Sequence, residues 1–471
     1  MMTVVYFLLS FILVYFIVLH GIYLALVLVG SAQTRKYNKG ITFAEFDRIA
    51  RSNLSMPVSI IVPAHNESAI IINTTENLLR LNYPSHEVII VDDGSTDRTL
   101  EVLIEHFNLR RVERHGPKHL ETEKVKAVFE SPDHPNLTVL TKENGRRADA
   151  INAAVTMARC PLLLVTDADS VLEPDGLLHM ARPFLLDSGI VASAGVVRPS
   201  NGLVLEKGVI VRRGLPPTML GLNQEVEYAR SFQWSRTGLC RLNSMLCISG
   251  ALLLVKKGIF EKLGGSWAQA ITDDIEFTIR LNKHVFDRRE KNGGKLVFTP
   301  DAVFFTEVPE TAKLYASQRN RWQRGTFEAL FRNWRMILNP RYGLTGLFGM
   351  PFFIVFEAFA PLVEITAYIL AVALLATGVV GWTEVLIMFF LAYITGVFLS
   401  LLAVLLTEMS RLRTASWGDF WKMIAAILTD NLGYHQWRQL SALVGMLQYF
   451  LFRRRDLGAR MERIGEGAPS A

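Results

Sequence analysis

Between Val4 and Val29 only Ser10, His20 and Gly21 interrupt the apolar side chains. A run of that length can cross a hydrocarbon core of ~30 Å as a helix. A cleavable signal peptide is the rival reading, but the stretch is too long for one and no basic residues precede it. Arg35, Lys36 and Lys39 follow at once, which places the C-terminal end of this helix in the cytoplasm. Two further apolar runs, residues 348–380 and 385–406, are separated by Gly381, Trp382, Thr383 and Glu384. They predict a transmembrane hairpin that returns to Arg411 and Arg413, again positive inside. In residues 421–452, Asp430, Asn431, His435 and Arg438 break the apolar pattern, and Arg453, Arg454 and Arg455 end it. This segment reads as an interfacial or re-entrant pair of helices.

The pattern between the membrane segments is different. Short β-rich runs at 58–64, 87–93, 137–141 and 162–166 alternate with helical spacing at 67–81, 98–107 and 148–158. Such alternation predicts an α/β domain with a mostly parallel sheet covered on both faces. The expected organisation is a transmembrane helix (1–30), a linker (31–56), a cytosolic α/β domain (57–335) ending in an interfacial helix that carries Gln318, Arg321 and Trp322, a transmembrane hairpin (345–407), and interfacial or re-entrant helices with a basic tail (408–471). Residues 108–136 read as a charged, solvated excursion and residues 198–221 as a loop.

Composition agrees with a soluble domain joined to membrane helices: the 471 residues are 50% hydrophobic yet 20% charged, and the mean hydropathy is +0.25. The net charge of +6 sits beside apolar segments, which excludes a nucleic-acid partner and points to the lipid bilayer. Cys160, Cys240 and Cys247 have no metal-ligand or disulfide spacing, consistent with a reducing compartment.

Candidate chemistry lies where strands end, because ligands of such sheets sit beyond the carboxyl ends of strands. The first run ends in Pro63-Ala-His-Asn-Glu67, the second in Asp92-Asp-Gly-Ser-Thr-Asp97 and the fourth in Asp167-Ala-Asp169. Asp-Asp-Gly-Ser is also a common turn and helix cap. Asp167 and Asp169 offer hard oxygen ligands suited to Mg²⁺ or Mn²⁺ shared with a diphosphate. Thr272-Asp-Asp274 opens a helical pattern, where acids also favour the helix dipole. Residues 318–322, Gln-Arg-Asn-Arg-Trp, precede the hairpin.

The ordered set VPAHNE, VDDGSTD, DAD, SGA, TDD and QRNRW resembles the inverting family-2 glycosyltransferases. It is nearest to the membrane-integrated synthases of the cellulose, hyaluronan and poly-N-acetylglucosamine type. The resemblance implies a GT-A, Rossmann-like catalytic domain. It further implies that Ala64, Glu67 and Asp93, with Asp92 as helper, bind the uridine of a UDP-sugar. Asp169 would hold the metal, Asp167 would support metal and donor, Asp274 would be the base and Asp273 its orienting neighbour. Gln318, Arg321 and Trp322, with Gly250 of the SGA motif, would form the acceptor and diphosphate side. Arg147 replaces the family's usual Lys in Asn144-Gly-Arg-Arg147 and keeps the charge with a different geometry, so the resemblance implies that it contacts the donor diphosphate. Arg319 and Arg324 are expected to face lipid phosphates at the interface.

The leading expectation is a processive polysaccharide synthase of a bacterial-type plasma membrane, with poly-N-acetylglucosamine as the first guess for its product. Three or so membrane helices make a narrow passage by themselves, so export of a polymer would call for oligomerisation or an export partner subunit. A transferase adding one or a few sugars to a lipid acceptor is the alternative. A noncatalytic export subunit would have lost Asp93, Asp167, Asp169 and Asp274, which are all present.

Overall fold

The structure is a computed structural model that describes residues 2–40, 52, 55–114, 116, 120–250, 252–287, 294–409 and 417–452. Twelve strands are described: β1 (Val58–Ala64), β2 (His86–Asp92), β3 (Arg110–Val112), β4 (Val125–Glu130), β5 (Leu137–Lys142), β6 (Leu162–Val165), β7 (Val171–Leu172), β8 (Ile190–Pro199), β9 (Val204–Glu206), β10 (Val209–Arg212), β11 (Leu253–Lys256) and β12 (Lys295–Thr306). Ten of them form one sheet in the order β3-β4-β5-β2-β1-β6-β11-β8-β12-β7. The sheet is parallel through β5, β2, β1 and β6, and again between β8 and β12.

The central strands are largely apolar because both faces are covered, and the buried exceptions are paired, as where Ser59 Oγ donates to Glu87 Oε1 at 2.6 Å. Ile60, Val62, Val88 and Ile90 point into one core, and Ile61, Ile89, Val91 and Leu140 into the other. Helices α1 (Met2–Gly40), α2 (Ile71–Leu79), α3 (Thr99–Phe107), α4 (Arg146–Met157), α5 (Gly176–Leu186), α6 (Met219–Glu227), α7 (Asp273–Asp287) and α8 (Ala312–Arg332) precede the membrane-side helices α9 (Ala360–Ala376), α10 (Trp382–Met409), α11 (Trp417–Thr429) and α12 (His435–Leu451).

The residues expected to form a solvated excursion instead supply β3 and β4, which extend the sheet at one edge in antiparallel fashion. Their alternation is obscured by charge because an edge strand exposes one face. Residues 198–221 are not a plain loop either: β9 and β10 make a separate antiparallel hairpin. Helix α1 runs past Gly30 into the expected linker. Tyr37 on it donates to Asp301 Oδ1 at 2.8 Å, and Leu26 is buried in the core beneath the sheet.

Among the described residues, two helices are long and apolar enough to cross a membrane, 7–37 and 382–407. A third span is formed if the pair Thr345–Ala358 and Ala360–Ala376, bent by 42°, is counted as one. The run 348–380 is therefore a broken helix rather than a straight arm of a hairpin. Trp234 ties the α/β domain to this layer, donating from Nε1 to the Ala403 carbonyl and to Thr407 Oγ1, both at 3.0 Å. Between α11 and α12 the backbone breaks at Leu432 and Gly433. Arg411, Arg413 and residues 453–455 lie outside the described residues.

Candidate active site

The register of β1 brings the strand ends together: Ala64 lies beside Asp92, and Ile61 beside Val165. The loops that follow are laced to one another. Asn66, in a left-handed conformation (φ 60°) that Asn tolerates, accepts from the Thr96 backbone N–H at 2.7 Å. Glu67 N–H donates to Thr99 Oγ1 at 2.8 Å. Asp97 accepts from the backbone N–H groups of Ser68 and Thr99. These bonds hold residues 65–68 in a loop, so the helix expected from Glu67 begins only at Ile71.

The two adjacent acids of the second loop differ in what they hold. Asp92 accepts from the Ser95 N–H at 3.1 Å and from Thr141 Oγ1 at 2.8 Å, the bonds of a turn and a strand end. Asp93 accepts from Lys142 Nζ and the Gly145 N–H, both at 2.9 Å, and from the Arg146 N–H at 2.8 Å. Lys142 is wholly buried and also pairs with Asp149 at 2.5 Å. Asp93 thereby shapes the turn that opens α4.

That turn delivers Arg147 to the centre of the site. Its Nε donates to Asp167 Oδ1 at 2.8 Å, Nη1 donates to Asp273, and Nη2 donates to the Gly250 carbonyl at 2.7 Å. Burial alone would lower the pKa of this guanidinium, but Asp167 and Asp273 override it and raise the value. Asp274 Oδ2 accepts from the Gly250 N–H at 3.2 Å and Oδ1 from the Ile275 N–H at 2.8 Å. Gly250 suits this close approach, because a Cβ there would lie 3.2 Å from that of Asp274 and 3.3 Å from Arg147 Nη2. Burial, and then the charge of Asp273, raise the Asp274 pKa above the usual carboxylate value. Asp169 accepts from Ser170 Oγ at 3.1 Å and from Thr306 Oγ1 at 3.3 Å.

Helix α8 packs directly against the turn that carries Asp273 and Asp274. Glu328 Oε2 accepts from the Ile271 N–H at 2.8 Å. Gln318 is buried, with no hydrogen-bond partner for its Oε1, and Arg321 and Trp322 are half-buried. Arg319 and Arg324 do not face lipid phosphates. Both are buried: Arg319 pairs with Glu227 at 2.9 Å, and Arg324 Nε donates to Asn320 at 3.0 Å. On a helix packed against the domain on one side and α12 on the other, those positions face inward.

The description "glycosyl transferase family 2" matches residues 59–264, and "glycosyl transferase family group 2" matches residues 162–406, more than half of the chain. The chain belongs to glycosyl transferase family group 2. It is 26% identical over 288 residues to a poly-beta-1,6-N-acetyl-D-glucosamine synthase of Staphylococcus epidermidis, covering 61% of this chain and 59% of that protein. It is also 26% identical over 324 residues to a beta-monoglucosyldiacylglycerol synthase of a Nostoc species, covering 67% of this chain and 59% of that protein. The chain thus matches about three fifths of the length of these curated relatives. A mannosyltransferase from Pyrobaculum calidifontis, solved in complex with GDP-Man and Mn2+, is 18% identical, with a TM-score of 0.51 over 93% of this chain and 100% of that one. The GT-A fold expected from the sequence is borne out.

Within this glycosyltransferase fold the acids suit a divalent ion. Among the described residues no three His, Cys, Asp or Glu side chains form a cage, whereas Asp167 and Asp169 supply hard oxygen donors at one strand end. That set fits Mg²⁺ or Mn²⁺, which take one or two carboxylates and complete their shell from substrate phosphates. Sequence reasoning missed Lys142 and Glu227. Lys142 ends β5 outside any recognised motif, and Glu227 comes from a segment with no motif.

Proposed function

We propose that the protein transfers a sugar, with inversion, from a UDP-sugar to a growing β-linked polysaccharide at the membrane, with poly-N-acetylglucosamine as the first product to test. The carrying observation is the meeting of Arg147 with Asp167, Asp273 and the Gly250 carbonyl, on a turn packed against α8 at the edge of the membrane helices. This supports a reading in which the donor-side Asp167 and the base pair Asp273–Asp274 serve one reaction centre, with the acceptor residues supplied by α8.

In this mechanism Ala64, Glu67 and the Asp92–Asp93 turn form the nucleoside side of the cleft. Asp274 takes the proton from the acceptor hydroxyl as that oxygen attacks the anomeric carbon and the bond to the diphosphate breaks. A raised pKa suits a carboxylate to this task, and a single in-line displacement inverts the centre. Asp169, with Asp167 beside it, would hold Mg²⁺ or Mn²⁺, which would take up charge on the leaving diphosphate. Arg321 adds positive charge on the same side, and Trp322 stacks on the acceptor sugar. The catalytic domain faces the cytosol in this proposal, because Arg35, Lys36 and Lys39 follow the first span.

A lipid acceptor is the second reading. It is favoured by the match to a beta-monoglucosyldiacylglycerol synthase and by a layer of no more than three candidate spans among the described residues. The deciding experiment is UDP release by the protein in liposomes across a panel of UDP-sugars with Mg²⁺ or Mn²⁺, with products sized on a gel. A ladder of long chains from one donor establishes the polymer synthase. A single short, lipid-soluble product establishes the lipid transferase. No UDP release from any donor overturns both.

A further inference from the structure

Tyr315, Arg319 and Trp322 share one face of α8, at helical spacings of four and three residues. The Arg319 guanidinium lies between the two rings, 4.7 Å from the centre of Tyr315 and 4.2 Å from that of Trp322. Its Nη2 donates to Glu227 Oε2 at 2.9 Å, and both side chains are only 5% exposed. Tyr434 donates to the same carboxylate oxygen, and Arg438 pairs with the other at 3.3 Å. Burial by itself would raise the Glu227 pKa; Arg319 and then Arg438 more than offset it, so the value is lowered and the acid stays ionised. Arg438 continues to His435 Nδ1 at 2.8 Å, and His435 Nε2 meets Glu364 Oε2 at 2.6 Å. The indole of Trp322 is thus backed by a planar cation, the cation by a buried acid on α6, and that acid by α12.

We infer that Arg319 and Glu227 are positioning residues, a clamp that fixes the Trp322 ring plane and couples it to the membrane-side helix α12. A guanidinium held over an indole restrains the ring by cation–π contact. A carboxylate held by three donors restrains the guanidinium in turn. Neither group needs to touch substrate. The clamp stands on these contacts alone; its effect on catalysis rests on the reading of Trp322 as the acceptor platform.

The test uses the full chain in liposomes, with UDP-N-acetylglucosamine as donor and a β-1,6-linked N-acetylglucosamine pentasaccharide as acceptor probe. A companion sample carries 5-fluorotryptophan, and the Trp322 signal is the one lost in Trp322→Phe. Glu227→Gln touches no part of the indole, yet the clamp requires it to shift or broaden that signal. Arg319→Lys keeps the buried charge, so it remains testable should Glu227→Gln fail to fold. It is expected to raise the acceptor KM ~10-fold while the donor KM stays within about twofold, the signature of a lost acceptor-side contact. A Trp322 signal unmoved in Glu227→Gln, or unchanged acceptor KM in Arg319→Lys where Trp322→Phe raises it, overturns the clamp. If the signal moves but Trp322→Phe leaves the acceptor KM unchanged, the clamp stands and the acceptor reading of Trp322 falls.

Discussion

Asp274 and Arg147 set opposite electrostatic demands within one hydrogen-bonded cluster. The Asp274 proton is held to higher pH than an ordinary carboxylate holds it, by burial and by Asp273, while Arg147 pulls the other way. A base works only when unprotonated, so kcat is expected to fall as pH drops through this raised value. The acid limb of the rate profile then lies above the ordinary carboxylate range. Arg147→Gln removes the opposing charge and should move that limb to still higher pH, which a profile of UDP release from pH 4 to 9 would read. Asp274→Asn should cost ~10²–10⁴-fold in kcat with UDP affinity retained; full activity in this variant would remove Asp274 as the base. Lys142 poses a stability question instead. Lys142→Met strands Asp93 and Asp149 beside a neutral chain, and the loss of one member of a buried ionic cluster costs about 3–5 kcal/mol. A melting temperature like that of the parent would show these acids to be satisfied without it.

Among the elements, the contact between α8 and the turn ahead of α7 is the tightest fit with a functional reading. A Cβ on Gly325 would lie 2.0 Å from Thr272 Oγ1 and 2.7 Å from Thr272 Cβ, well inside contact distance. Gly325→Ala therefore pushes α8 away from Asp273 and Asp274, at a cost of about 1–3 kcal/mol for overpacking. The expected result is a loss of transfer activity with UDP binding preserved. Thr272→Gly in the same chain removes Oγ1, Cγ2 and Cβ, the three obstructing atoms, and should recover part of that activity; no recovery would place the defect elsewhere. The glycine that ends the run of arginines in this helix is thus explained by packing.

The molecule as a whole joins a ten-stranded sheet to membrane helices through polar contacts buried among apolar ones. Arg230 pairs with Asp430 at 2.7 Å and donates to Ser400 at 2.6 Å, so the segment after α6, helix α10 and the break after α11 meet at one charged point. If the catalytic domain is cytosolic, the turn between α9 and α10 lies on the opposite side of the bilayer. In a chain with Cys160, Cys240 and Cys247 replaced by Ser, Val379→Cys should react with an impermeant thiol reagent from outside the cell. Lys126→Cys, on β4, should react only after permeabilisation. The reverse pattern would invert the proposed topology.

Alternation of apolar strands with polar ends was enough to foresee β1, β2, β5 and β6 and the acids they carry, because a strand covered on both faces is mostly apolar and its ligands gather beyond its end. The long apolar runs likewise announced the candidate spans, since no other local pattern meets the length of a bilayer. What the chain alone left undetermined depends on partners distant in sequence. Arg319 looked like a lipid-facing cation until α8 was seen packed between Glu227 and Arg438, contributed by segments about ninety positions before and more than a hundred after it. No motif marks Lys142, and only the fold closes Asp93 and Asp149 over it. A helix repeats its spacing whatever it packs against, so the pattern names the face but not the neighbour. Burial decides whether a charge is solvated or paired, and burial exists only once the fold has brought those neighbours together.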